Sequence, residues 1–154
     1  DPAGVAQMLK ARRRPRVFTP HPAEMSRLLK TGQAESEGAR FKAVERLARD
    51  CGGVALLKGR RTLISSGART VVNLTGGPSL AKAGSGDVLT GLVLGLWTQA
   101  LASGRLEGDL AFKSAALGAW LHGTAGDLAE KELTPWAVTS EDLVDFLPKA
   151  FKTL

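Results

Sequence analysis

The sequence predicts an α/β layer protein whose sheet is at least partly parallel. Two observations carry this. Short β-rich runs alternate early with helical periodicity in the order strand, helix, strand, and the second half is built from three long apolar-periodic helical stretches. Two neighbouring strands joined through a helix have the spacing of a parallel crossover. A chain of 154 residues is long enough for one domain with one core, so a single domain over residues 1–154 is expected.

The elements follow in order. Residues 1–15 are polar and interrupted by Pro2, Gly4 and Pro15, with a short helical opportunity over 5–9, and should form a surface connection. Arg16-Val17-Phe18 reads as a short strand. Thr19-Pro20-His21-Pro22 stops it and puts Pro22 at the first position of a helix that turns Met25, Leu28 and Leu29 inward. Phe41, Val44, Leu47, Ala48 and Cys51 recur at helical spacing until Gly52-Gly53, and Val54-Ala55-Leu56-Leu57 then suits a buried strand. Residues 62–65 and 70–74, separated by Ser66-Gly67-Ala68-Arg69, predict a hairpin. Residues 87–102 are apolar or small at nearly every position, which predicts a central helix buried over most of its circumference. A helix over 108–131 carries Leu110, Leu117, Trp120, Leu121 and Leu128 on its apolar side. The last helix follows the cap Thr139-Ser140-Glu141-Asp142 with Leu143, Phe146 and Leu147 inward.

Composition narrows the function classes. Hydrophobic residues make up 44% and charged residues 23%, an ordinary globular balance. The start shows no signal-peptide pattern and no apolar run approaches a membrane span, so a cytoplasmic protein without membrane partners is expected. Cys51 is the sole cysteine and reads as a small core residue. The net charge of +6 suits an anionic ligand. Its one cluster, Arg12-Arg13-Arg14, lacks interleaved aromatics and reads as an exposed linker, so no nucleic acid is expected as a partner.

The strongest chemical signal runs from Asn73-Leu74-Thr75-Gly76-Gly77-Pro78 through Leu80-Ala81-Lys82 to Ala83-Gly84-Ser85-Gly86-Asp87-Val88-Leu89-Thr90-Gly91, joining a strand to the central helix. Gly84 and Gly86 let a ligand approach the backbone, and a helix starting there offers unpaired amides. Gly84, Ser85 and Gly86 therefore form a candidate anion hole. Asp87 sits where a general base would take a proton from a hydroxyl. By spacing alone the same turn reads more simply as a helix cap. His21, between two prolines at the carboxyl edge of a sheet, is either a ligand contact or a loop histidine capping its helix; the residues leave both open. In Lys58-Gly59-Arg60-Arg61-Thr62, Lys58 can neutralise phosphate, Gly59 permits close backbone passage and Thr62 can hydrogen-bond oxygen, although a solvated hairpin edge explains the same residues. His122 reads as a partly buried structural histidine. Glu24, Asp109 and Asp127 read as charges at helix ends rather than metal ligands, and Gly91 and Gly95 as a tight helix contact.

These segments resemble a known family. Residues 83–91 look like the GxGD signature of ribokinase-like kinases. Asn73-Leu74-Thr75-Gly76, Leu80-Ala81-Lys82 and Leu121-His122-Gly123-Thr124-Ala125-Gly126-Asp127 are similar to the ADP/ATP-dependent NAD(P)H-hydrate dehydratase branch rather than to sugar kinases. Thr19-Pro20-His21-Pro22-Ala23-Glu24 resembles that branch's TPHPGE segment, with Ala23 in place of glycine, and residues 58–62 resemble its KGxxT segment. The resemblance covers residues 16–150 and implies the C-terminal portion of a ribokinase-like three-layer α/β/α sandwich, with part of the family domain expected upstream. It implies that His21 and Asp87 contact hydrated NADH or NADPH, and that Lys58, Gly59, Arg60, Arg61, Thr62 and Gly86 contact the nucleotide. It further implies ADP or ATP as co-substrate, Mg2+ with it and no dedicated metal site. An NAD(P)H-hydrate epimerase domain or protein is an implied partner, and a homo-oligomer is expected. A ribokinase-like kinase of a small alcohol or vitamin precursor, or a nucleotide-binding remnant without turnover, are the alternatives.

Overall fold

The structure is a computed structural model that describes residues 15–32, 36–104 and 109–154. The helical stretch expected over 5–9, the linker at Arg12-Arg13-Arg14 and the expected helix start at Gly108 lie outside the described residues. The chain forms two compact units, Asp1–Val72 and Asn73–Leu154.

The first unit holds a four-stranded sheet in the order β1 (Val17–Phe18), β2 (Val54–Leu57), β3 (Leu63–Ser65) and β4 (Thr70–Val72). β1 and β2 are parallel, with Val17 opposite Val54, and β3 and β4 form the expected hairpin; β2 and β3 also pair antiparallel. The crossover between the parallel strands contains α1 (Pro22–Leu29) and α2 (Glu37–Cys51). Pro22 opens α1 with its fixed φ, and Ser36 caps α2 by accepting the Ala39 amide. Met25 and Leu29 of α1 and Val44, Leu47 and Ala48 of α2 pack on Ala55, Leu57 and Leu63. Four consecutive buried residues in β2 match its unbroken apolar run. Leu28 departs from expectation: it is 39% exposed, because Met25 and Leu29, one turn apart, already define the inward line of this short helix. Phe41 and Cys51 are half-buried at the edge of the same core.

The second unit is helical: a single 3-10 turn (Pro78–Leu80), α3 (Ser85–Ala102), α4 (Leu110–Ala137) and α5 (Ser140–Phe151), with α3, α4 and α5 packed on one another. Leu121, Ala125, Ala129, Val138, Leu143 and Phe146 form its core. Asp109 caps α4 through the Phe112 amide, and Thr139 with Asp142 forms a capping box on α5. Hydrogen bonds from the Thr139 backbone and hydroxyl hold the Asp142 carboxyl below the usual carboxylate range.

Two expectations about α3 are corrected. Only Ser85, Leu89 and Val93 are buried, so one face of the helix is covered and Leu94 is 57% exposed. A uniformly apolar sequence carries no periodicity from which a single buried face could be chosen. Gly91 and Gly95 are not a packing contact either: a Cβ on either meets nothing within 4 Å. Close approach falls instead on Gly118 and Gly123 of α4, where an added Cβ would lie 2.6 Å from Val93 Cγ2 and 2.1 Å from Thr75 Oγ1. α4 also breaks at Thr134 (φ 68, ψ 154), the residue before Pro135. Proline disfavours the helical conformation in its predecessor, and a positive φ on a β-branched residue stores strain there.

Candidate functional site

In the first unit the loops after the two parallel strands meet at their carboxyl edge. The Lys58 amide donates to the Pro20 carbonyl at 2.9 Å, bringing the end of β2 against the turn that holds His21. His21 is the N-cap of α1. Its Nδ1 accepts the Glu24 amide at 3.2 Å, while the His21 amide donates to Glu24 Oε2 at 2.7 Å, a reciprocal capping box. An accepting Nδ1 leaves the ring proton on Nε2, which faces Glu24 Oε1 at 3.4 Å. Lys58 Nζ lies 4.0 Å from Glu24 Oε2, a loose contact. Glu24 thus stands between His21 and Lys58. It has the helix-end role expected of it and a second role, orienting both neighbours, that helix-end logic does not reveal.

The turn after Lys58 is held from α2. Gly59 has φ +132, a conformation other residues rarely adopt, and Arg61 has φ +55. The Arg40 guanidinium donates to the carbonyls of Arg60 (2.9 Å) and Arg61 (3.3 Å), and Arg61 pairs with Glu37 at 3.0 Å. Thr62 Oγ1 donates to the Gly59 carbonyl at 3.0 Å, leaving its lone pairs, not its proton, for a ligand. Arg40 escaped the sequence reading because it lies twenty residues upstream on a helix whose pattern shows only the apolar face.

In the second unit, the segment leading to the glycine-rich loop is strapped to α4 by a polar network. Asn73 Nδ2 donates to the Thr75 and Ala119 carbonyls, and the single Thr75 hydroxyl proton is shared between the Trp120 carbonyl and Asn73 Oδ1, each 3.0 Å away. In return Asp127 Oδ2 accepts the Gly76 amide at 3.0 Å, and Glu130 Oε1 accepts the Ser79 amide at 2.7 Å. Asp127 is therefore not a helix-end charge. It lies well inside α4 and satisfies a loop amide, a charge-assisted bond that a reading of local sequence does not anticipate. Further along, Lys82 Nζ donates to the carbonyls of Trp136 (3.0 Å) and Val138, at the break in α4.

The loop itself opens α3. Gly84 is the N-cap with φ +84, and a Cβ there would lie 2.8 Å from Ser140 Oγ, so only glycine fits. The amides of Asp87 and Val88 turn back onto the Gly84 carbonyl at 3.0 and 3.1 Å, and the Ser85 amide reaches the Lys82 carbonyl at 3.4 Å. The Gly86 amide has no backbone acceptor among the described residues, which leaves a donor at the positive end of an 18-residue helix. Asp87 is exposed in the first turn. Ser85 is buried, and its hydroxyl lies 3.3 Å from His122 Nε2. Of the three residues expected to form the anion hole, Gly84 supplies the bend, Gly86 an unpaired amide, and Ser85 a side chain already engaged from below.

Among the described residues no group of three or more His, Cys, Asp or Glu side chains could hold a metal ion, and no helix is long and apolar enough to cross a membrane.

Comparison with known proteins agrees with these motifs. Residues 3–149 match the carbohydrate-kinase-type family model described as NAD(P)H-hydrate dehydratase. The chain is 45% identical over 141 residues to the bifunctional NAD(P)H-hydrate repair enzyme Nnr of Moorella thermoacetica, covering 91% of this chain and 25% of that protein. It is 39% identical over 137 residues to the ADP-dependent (S)-NAD(P)H-hydrate dehydratase of Cenarchaeum symbiosum, covering 88% of this chain and 44% of that protein. Among solved structures, the ADP/ATP-dependent NAD(P)H-hydrate dehydratase of Bacillus subtilis, co-crystallised with ATP and Mg2+, superposes with a TM-score of 0.74 at 31% identity over 90% of this chain and 48% of that one. A ribokinase-like superfamily protein of Enterococcus faecalis superposes with a TM-score of 0.70 at 26% identity over 99% of this chain and 50% of that one. The chain spans less than half the length of these curated relatives and about half that of the structural neighbours. With the family model matched over nearly all its length and the ribokinase-like fold shared with its neighbours, the chain belongs to the NAD(P)H-hydrate dehydratase family.

Proposed function

We propose that this chain acts in the ADP- or ATP-dependent dehydration of the S-epimer of hydrated NADH or NADPH, restoring the reduced cofactor and releasing phosphate with AMP or ADP. The observation that carries the reading is the Gly84–Asp87 loop, where an unpaired Gly86 amide at a helix N-terminus stands beside an exposed carboxylate. An amide so placed stabilises charge building on a transferred phosphoryl group, and the carboxylate takes the proton of the attacking hydroxyl. The hydrate oxygen then bonds to the terminal phosphorus of the nucleotide as the bridging P–O bond breaks. In the second step the C–O bond breaks with phosphate as leaving group, and the adjacent ring carbon loses a proton to restore the double bond. Asp87 and His21 are assigned to the hydrate, and Lys58, Gly59, Arg60, Arg61, Thr62 and Gly86 to the nucleotide.

A Mg2+ ion would arrive with the polyphosphate of the nucleotide. Such an ion supplies neutralisation of phosphate charge. Residues 1–154 are read as one functional domain, the C-terminal portion of a ribokinase-like domain, in a cytoplasmic homo-oligomer. An NAD(P)H-hydrate epimerase activity, fused or separate, would feed it the reactive epimer.

Product identity tests the reading. Incubation of the chain with the hydrate, Mg2+ and ADP or ATP is expected to yield free phosphate in step with the return of near-ultraviolet absorbance. A stable phosphorylated alcohol in place of free phosphate would instead identify a small-alcohol kinase, and nucleotide binding without turnover a non-catalytic role for the chain.

A further inference from the structure

His122 takes no part in the reaction as proposed, yet it is only 5% exposed and directed at the first residue of the glycine-rich loop's helix. A buried imidazole is costly unless its nitrogens are bonded, and an apolar side chain of similar volume would fill the same space at less cost. Burial lowers its pKa, against a weaker opposing effect of a hydrogen bond to the Ser85 backbone, so the ring is neutral near pH 7. A neutral ring bonds Ser85 Oγ without adding a positive charge beside it. The hydroxyl it meets belongs to a residue that is itself 4% exposed.

The surroundings explain why such a bond would matter. Gly84 must keep a positive φ against Ser140, and Lys82, two residues before it, is anchored to the Trp136 and Val138 carbonyls. The chain entering the loop is thus fixed, whereas the chain leaving it, at Ser85, is tied to α4 through His122, the side-chain bond to another element described there. The glycine cap supplies no side-chain bond of its own.

We infer that His122 is a positioning residue of the Gly84–Asp87 loop: by holding Ser85 Oγ it fixes the first turn of α3, so that the Gly86 amide and the Asp87 carboxylate keep their places when a phosphoryl group arrives. The inference rests on the proposed phosphoryl-transfer reading of that loop, and it also assigns Ser85 a supporting rather than a ligand-contacting side chain.

The test compares His122→Phe, which keeps the volume and removes the bond, with His122→Gln, whose amide can restore it, and with Ser85→Ala and the His122→Phe/Ser85→Ala double variant. Amide hydrogen exchange at Asp87 and Val88, both bonded to the Gly84 carbonyl, is read against exchange in the middle of α4. In His122→Phe and in Ser85→Ala, exchange at these two amides should rise about fivefold, the size expected for one lost hydrogen bond, with α4 unchanged. The double variant should show no further rise, and the Gln variant should return toward wild type. In the hydrate assay kcat should fall while the KM for ADP stays within about twofold, because an orientation effect acts on the transition state. Unchanged exchange at Asp87 and Val88, an equal rise throughout α4, or additive effects in the double variant would overturn the inference. Ser85→Ala decides the matter alone if the Phe variant does not fold. Wild type failing to restore the cofactor would sink the dehydratase reading, and the exchange comparison would still judge His122.

Discussion

The two turns proposed to contact the nucleotide are built on opposite principles. The turn at residues 58–62 is organised by exposed charges: Arg40 on the Arg60 and Arg61 carbonyls, Arg61 on Glu37, and Lys58 loosely on Glu24. The loop at residues 84–87 is organised by a buried bond, His122 on Ser85, by close packing of Gly84 against Ser140, and by a half-buried Lys82 on two carbonyls. Solvated ion pairs contribute little and rearrange easily, while a buried polar tether leaves an unsatisfied group if broken. The first turn can therefore adjust around a bound nucleotide. The second is set before the ligand arrives, as expected where charge must be stabilised during reaction.

The contrast breaks most sharply at the strap that leads into the second loop. Gly123→Ala would place a methyl within 2.6 Å of the Thr75 carbonyl carbon, and is expected to cost about 1–3 kcal/mol or more by chemical denaturation. A change below about 0.5 kcal/mol would show the strap to be loose. Next comes Lys82→Met, which removes the donor shared by the Val138 carbonyl, in a half-buried bond, and the Trp136 carbonyl, in an exposed one, and is expected to cost about 0.5–1.5 kcal/mol.

A smaller effect is expected from pH. The folded pKa of His122 lies below its ordinary 6.5, so as pH falls through that value the unfolded chain binds the proton first. Stability is lost as pH drops from 6.5 toward the folded pKa, with no contribution above that window. His122→Gln should flatten this part of the stability profile relative to wild type. The smallest effect belongs to the first turn: Glu37→Gln removes an exposed ion pair and should change stability by about 0–1 kcal/mol. A loss well above that would mean the 58–62 turn is as rigidly built as the 84–87 loop.

What could be read from the sequence was local. Pro22 at a helix start, Gly52 at a helix end, the hairpin around Gly67 and the Thr139 cap all lie where their chemistry puts them, because each signal involves residues within a few positions. The glycine-rich loop was legible as a site candidate for the same reason. What escaped depends on partners 20 to 56 residues apart: Arg40 on the 60–61 carbonyls, Asp127 and Glu130 on the strap, and Lys82 on the break in α4. The break had a sequence signal in Pro135, but the positive φ of Thr134 did not. The buried face of α3 could not be chosen from a helix apolar on every side.

The central claim is that the Gly84–Asp87 loop performs chemistry, and Asp87→Asn tests it most directly. The exposed carboxylate makes no structural hydrogen bond through its side chain among those described, so the variant should fold as wild type. Return of near-ultraviolet absorbance from hydrated NADH with Mg2+ and ADP or ATP should slow by about 10²–10⁴-fold, the usual contribution of a general base. An Asn variant that restores the cofactor at the wild-type rate would contradict the account.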